Sequence, residues 1–109
     1  LALFTADASL DRLGTVFEGR AAIAAFLEGR PTQTQTRHLC THIQIDVSSA
    51  DQAAGTCEVL FFQGQSTSDG SVQAQGSPAI VQYQDRFTRT AEGWRIQERR
   101  IRMLMKAAA

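Results

Sequence analysis

His38 and His42 are the only two histidines of the chain, and they stand four residues apart in the run Thr36-Arg37-His38-Leu39-Cys40-Thr41-His42. An imidazole titrates near neutral pH, so either one can take a proton from a bound molecule or give one to it. Dehydration or isomerisation beside a carbonyl needs such a base on carbon and a donor on oxygen. Asp85 and Arg99 form a second pair of interest. Both are charged where the alternation of their neighbours predicts an apolar surface. A carboxylate on such a surface needs a charged or hydrogen-bonding partner. Arg99 meets that need, either as a structural ion pair or as the polar end of a pocket. Tyr83 shares the parity of Asp85 and can orient a ligand from the same face.

Other chemistry is less well provided for. His38 and His42 lack a third ligand at metal-binding spacing, so no metal site is expected. Cys40 and Cys57 are too few for a disulfide scaffold and are read as reduced strand residues of a cytoplasmic protein. Cys40, with histidines near it in sequence, is also weighed as a nucleophile. Lysine plus arginine number 11 and aspartate plus glutamate 11, so no global field favours nucleic acid. Arg86, Arg89, Arg95, Arg99, Arg100 and Arg102 cluster late in the chain. They suit solvated strand faces, or a phosphate or carboxylate contact for one or two of them. No apolar run is long enough to span a membrane.

The elements that must position these groups follow from periodicity. Leu1–Phe4 resembles the last turn of a helix, followed by a polar loop over residues 5–11. Thr15–Glu18 is a short extended piece. Gly19 can cap a helix from Arg20 to about Glu28, with Ile23, Phe26 and Leu27 on one face and Gly29 and Pro31 ending it. Beyond Thr36 the period becomes two. Leu39, Ile43, Ile45 and Val47 share one parity of a long half-buried strand, and His38 lies on its less apolar face. Ala53, Gly55, Cys57, Val59 and Phe61 set the inward parity of the next strand. Residues 63–77 are polar and read as a long loop, a plain connection or else a mobile lid. Val81, Tyr83 and Phe87 set the inward parity of a further strand.

The last strand follows the turn at Glu92-Gly93. Trp94 and Ile96 are apolar on even positions, and Ile101, Met103 and Met105 on odd ones. A strand cannot change parity without an irregularity, so a β-bulge is expected between Gln97 and Arg100, turning Arg99 toward Asp85. A helix followed by long antiparallel strands argues an α+β domain.

The pieces LALFTADASLD, VFEGRAAIAAFL, TRHLCTHIQIDV and YQDRFTRTAEGWRIQERRI, in this order, resemble a SnoaL-like domain of the nuclear-transport-factor-like superfamily. That group is related in fold to scytalone dehydratase and ketosteroid isomerase. The resemblance implies one cystatin-like α+β barrel over residues 1–109: a cone-shaped, curved antiparallel sheet wrapped around N-terminal helices, with an apolar pocket inside. It also implies a homodimer through the outer sheet face, and that an N-terminal helix of the family lies outside this chain. In dehydratase-like members that helix supplies a tyrosine and an aspartate to the pocket.

His38 falls where those relatives place a pocket histidine, and His42 where they often carry asparagine. His38 is read as a structural or exposed residue, as a pocket wall, or as an acid/base. The second histidine of the scytalone dehydratase pattern is missing from residues 80–82. The full Asp-Arg-Asp set of epoxide hydrolases with this fold is not evident either. The expected function is cofactor-free acid–base catalysis, as dehydratase, isomerase or cyclase, on a small apolar or polycyclic molecule. His38 and Asp85 are the catalytic candidates, and Tyr83, His42, Arg99, Phe61 and Trp94 the ligand-binding ones. A non-catalytic ligand-binding or oligomer-supporting module, resembling a dioxygenase small subunit, is the alternative.

Overall fold

Runs of alternating apolar and polar residues recur along the chain, and each becomes a strand. In the computed structural model, which describes residues 1–108, the elements are β1 (Phe4–Arg12), β2 (Thr15–Glu18), α1 (Arg20–Glu28), β3 (Thr34–Val47), β4 (Gln52–Ser66), β5 (Val72–Ala74), β6 (Ala79–Thr90) and β7 (Gly93–Met105). The strands build one seven-stranded sheet in the order β2-β1-β7-β6-β4-β3, with β5 paired to β4. Neighbours run antiparallel except β1 and β7, which run parallel. The sheet is open and curved, so the domain is α+β as expected.

The helix α1 sits on the inner face over β1. Its Gly19 cap has φ 88° and makes no side-chain hydrogen bond, and the Gly29 N–H donates to the Ala25 carbonyl at 3.1 Å. Ile23 is fully buried against Ala8 and Leu10, with Phe4, Phe17, Phe26, Leu27 and Ile101 packed around them. Burying one such side chain contributes about 1.5–3 kcal/mol, so this cluster fastens the helix to the sheet. The Phe17 and Phe26 rings add a tilted contact at 4.6 Å between centroids.

Three expectations are corrected. Residues 5–11 are not a loop: Leu1–Phe4 closes a single turn, the Phe4 N–H donating to the Leu1 carbonyl at 3.1 Å, and Phe4–Arg12 is strand β1. Phe4, Ala6, Ala8 and Leu10 alternate with Thr5, Asp7, Ser9 and Asp11, a period of two in which half of the residues are polar enough to pass for a loop. Residues 63–77 are not one long loop. β4 continues to Ser66, and Gly64, Gln65 and Ser66 pair with β5. A Cβ on Gly64 would run into the Gln73 carbonyl and the Val72 side chain, so glycine is what allows β5 to lie this close. The tip is tied down by Asp69, which accepts hydrogen bonds from the Thr67 and Ser71 hydroxyls and the Ser71 N–H.

The third correction concerns β3. Cys40 and Thr41 pair with Val59 and Glu58, but Gln44 and Ile45 pair with Thr56 and Gly55, so the register shifts at His42-Ile43. His42 has φ 50°, in the left-handed region that a non-glycine residue rarely enters. Leu39 and Ile45 therefore belong to opposite faces, and the odd-numbered apolar series is not one surface. β3 is also the sheet edge, which leaves Leu39, Ile43, Ile45 and Val47 all more than half exposed.

The bulge expected in the last strand is present. Phe87 pairs with Ile96, Arg86 with Glu98 and Asp85 with Arg99, so Gln97 is the extra residue. A second shift, between Met103 opposite Val81 and Met105 opposite Ile80, lies near the end of β7.

Candidate functional site

The inner face gathers the groups that chemistry would use. β3 contributes Thr34, Thr36 and His38 at alternate positions, and β4 contributes Phe61, directly opposite His38 in register. β6 brings Tyr83, β7 brings Arg99 and Ile101, and Phe26 and Leu27 of α1 form the facing wall. Between helix and sheet lies a cleft of about 450 Å³. An annex of about 150 Å³ opens beside it and shares His38, Phe61 and Tyr83. A volume of this order is that of a small-molecule site.

His38 meets the Phe61 ring edge-on, with centroids 5.0 Å apart and planes at 60°. Among the described residues its imidazole has no side-chain partner. Burial lowers its pKa from the ordinary 6.5, and the charges of Arg30 and Arg99 lower it further. The ring is therefore neutral at pH 7 and keeps a lone pair to accept a proton. Tyr83 lies on the same face. Burial raises its pKa, against an opposing pull from Arg99. The phenol thus keeps its proton and can donate a hydrogen bond to a substrate oxygen.

Behind these groups, Arg99 donates from Nε to one Asp85 oxygen at 2.8 Å and from Nη2 to the other at 2.9 Å. Burial works against the guanidinium's charge, but the Asp85 hydrogen bonds and charge outweigh it and raise the Arg99 pKa. The same guanidinium lies 4.2 Å from the Tyr83 ring centroid and 5.9 Å from that of Phe4. A cation at that distance over an aromatic face is attracted to it. Arg99 therefore joins the ion pair to the cleft wall.

Not all expected site residues come together. Asp85 is buried, lies outside the lining of the cleft that holds His38, and accepts one hydrogen bond from Arg99 on each carboxylate oxygen. The structure thus places it in an ion pair with Arg99, apart from the lining that His38 shares with Tyr83. His42 also lies apart from the cleft. The β3 bulge carries it to Glu58, 2.8 Å away, on the outer face with Thr41 and away from the cleft. Trp94 sits elsewhere on the inner side, in an apolar hollow with Ile45, Val47, Ala53 and Phe87. Tyr83, Arg99 and Phe61 do line the cleft, together with His38.

Sequence reasoning missed Arg12 and Arg30, which also line it. The signal for Arg12 was the β1 alternation, which places it in phase with Ala8 and Leu10. Its guanidinium lies 5.5 Å from the Phe26 ring centroid. Cys40 and Cys57 are free thiols. Burial, with Cys40 next in weight, raises the Cys57 pKa, so that thiol stays protonated and unreactive at neutral pH. No group of three His, Cys, Asp or Glu among the described residues is close enough to hold a metal ion. A polar groove of about 390 Å³ runs near Arg86, Glu98 and Arg100, and no histidine or cysteine lines it.

The combination of a curved sheet and one covering helix has a counterpart among known domains. A family model, the SnoaL-like domain, matches residues 1–100. The chain belongs to this family. Solved structures of SnoaL-like relatives agree in fold. A candidate scytalone dehydratase from Novosphingobium aromaticivorans superposes with a TM-score of 0.78 at 26% identity, covering 95% of this chain and 68% of the other. An NTF2-like protein with a cystatin-like fold from the same organism gives 0.73 at 25% identity, covering 98% and 68%. A Mycobacterium tuberculosis protein of unknown function gives 0.75 at 27% identity, covering 94% of this chain and 57% of that one. No curated protein matches the chain. Among the described residues of this SnoaL-like domain, no helix is long and apolar enough to cross a membrane.

Proposed function

We propose that the domain is a cofactor-free acid–base enzyme acting on a small aromatic or polycyclic ketone held between α1 and the inner sheet face. His38 takes a proton from the carbon next to the carbonyl. The electron pair of that C–H bond moves onto the carbonyl oxygen, where the Tyr83 O–H donates a hydrogen bond. Return of the proton from the His38 imidazolium to another carbon of the conjugated enolate gives isomerisation; if instead the enolate electrons form a C=C bond and expel a hydroxyl from the next carbon, that proton goes to the leaving oxygen, and water is lost. The observation that carries this reading is His38 itself: neutral, without a side-chain partner, and set in the wall of an unfilled cleft beside Phe61 and Tyr83. The likeness to a candidate scytalone dehydratase, at 26% identity, supports the same class of reaction. A module that merely supported an oligomer would fill this space with side chains and leave His38 outside it.

We further propose a homodimer through the outer face, where Leu39 is exposed and Leu60 and Phe62 are half-buried. A reducing cytoplasm suits the two free thiols.

The enzyme reading is tested with 2-tetralone, a bicyclic ketone, by following deuterium exchange at its α-carbons by NMR. The wild-type chain accelerates exchange, and His38→Ala lowers the protein-dependent rate about a hundredfold or more. Tyr83→Phe lowers it too, through the lost hydrogen bond to the forming enolate. An undiminished rate in His38→Ala removes His38 from the mechanism.

A further inference from the structure

The charge lining the cleft is one-sided. Arg12, Arg30 and Arg99 face it, and no aspartate or glutamate does. Arg99 is neutralised by Asp85. Arg12 and Arg30 have no carboxylate within 4.0 Å among the described residues, whereas Arg86, Arg95 and Arg100 on other surfaces each have one. The chain as a whole carries no net charge, with 11 basic and 11 acidic side chains. The excess is therefore local to the cleft and not a reflection of composition.

Two guanidiniums without carboxylate partners thus line one apolar space, with Arg12 held over the Phe26 ring. Like charges repel, and those facing low-dielectric walls repel more than those in open water. The influence of one of them reaches the reacting group, since Arg30, like Arg99, disfavours the imidazolium form of His38. A cleft lined by one sign of charge concentrates ligands of the other sign. The planar guanidinium fork matches a carboxylate in particular, through two parallel N–H···O bonds. Beside the cations lie the rings of Phe4, Phe26 and Phe61.

We propose that the ligand of this cleft is an aromatic carboxylate, its rings packed against Phe26 and Phe61 and its carboxylate held by Arg12 and Arg30. The inference rests on the reading of the cleft as a ligand site and names the ligand's chemical class. The carboxylate anchors the molecule at the mouth, at the α1 end, and its rings extend inward toward His38 and Tyr83. The anchoring charge is not itself the reacting group.

Two probes of the same shape test it by isothermal titration calorimetry: 2-naphthoate, and its neutral counterpart 2-naphthamide. In low salt, about 50 mM, 2-naphthoate is expected to bind at least about tenfold more tightly than 2-naphthamide, and the ratio shrinks as salt rises. Arg30→Gln and Arg12→Gln each reduce the ratio, and the double variant brings it to within about threefold of unity. Circular dichroism on each variant separates lost binding from lost folding, and Arg30, exposed beyond the end of α1, is the safer of the two. If both probes bind equally well to the wild-type chain, the charge inference is overturned while the cleft remains a ligand site. If neither binds at millimolar concentration, both readings fall. A ratio that survives in the double variant places the anion site elsewhere and overturns the assignment to Arg12 and Arg30.

Discussion

Asp85 and Arg99 face each other directly across β6 and β7, joined by two hydrogen bonds, because Gln97 is one residue too many for the ladder. Without the bulge, Arg99 would take the parity of Arg100 and point outward. The strand irregularity and the ion pair are one device, and its product is a guanidinium held against Tyr83 at the cleft wall.

Removing the carboxylate should therefore be felt in stability before function. Asp85→Asn leaves Arg99, whose side chain is 22% exposed, without its counter-charge. The expected loss is on the order of 3 kcal/mol, read as a lower urea midpoint at unchanged slope. Replacing the pair together, Asp85→Leu with Arg99→Met, should recover much of it, because the cost lies in the orphaned charge. A midpoint unmoved by Asp85→Asn would show that the pair contributes nothing.

The His38 pKa gives stability a pH signature. Its folded-state value lies below the ordinary 6.5, first through burial and then through Arg30 and Arg99. The unfolded chain therefore binds the proton more readily. His38's contribution is present in full above pH 6.5 and is lost as pH falls through the folded value. The difference in stability between wild type and His38→Gln should accordingly narrow on acidification. Histidine NMR titration supplies the direct check: Arg30→Gln moves the His38 midpoint up toward 6.5, and a midpoint that stays put excludes the Arg30 field.

Gly64→Ala tests the β4–β5 hairpin. The added methyl meets the Gln73 backbone, which cannot rotate away. The expected result is local release of β5, with hydrogen exchange of the Val72 and Ala74 amides speeding up about tenfold or more while β6 and β7 stay protected. Uniform protection in the variant would mean that the strand accommodates the methyl by sliding.

The proposed dimer predicts that Phe62→Arg, on the outer face opposite Arg37, yields a monomer in sedimentation analysis. A wild-type chain that is already monomeric at about 100 μM overturns the outer-face dimer, since an interface of standard size holds well below that concentration.

What the sequence discloses depends on whether burial enforces parity. The bulge at Gln97 was legible because Ile96 and Ile101 both pack inward and cannot do so on one uninterrupted strand. The bulge at His42 was not legible. Leu39, Ile43, Ile45 and Val47 sit on an exposed edge, where nothing penalises an apolar side chain on either face. β1 was hidden by its polar half, although Ala8 and Leu10 belong to the buried core. The site divides in the same way. Tyr83, Phe61 and Arg99 could be placed from strand parity. Arg12 and Arg30 reach the cleft only because β1 docks beside β7 and α1 folds over it, a tertiary event that no local pattern records.

The parallel pairing of β1 with β7 sets an order of events during synthesis. Leu10 lies opposite Arg99 and Arg12 opposite Ile101, so β1 takes its place in the sheet against a strand made some ninety residues later. Contacts of such sequence separation form slowly, because a long loop must close before they reward the chain. β3, β4 and β6 can assemble as hairpins while the chain is still emerging from the ribosome. The β1-β2-α1 unit can pack Phe17, Ile23 and Phe26 against one another, but its seat against Ile101 must wait until residues 99–101 are made. A truncation inside β7 would thus strand the helix as well as remove Arg99, and a nascent chain stalled there is the species most exposed to aggregation.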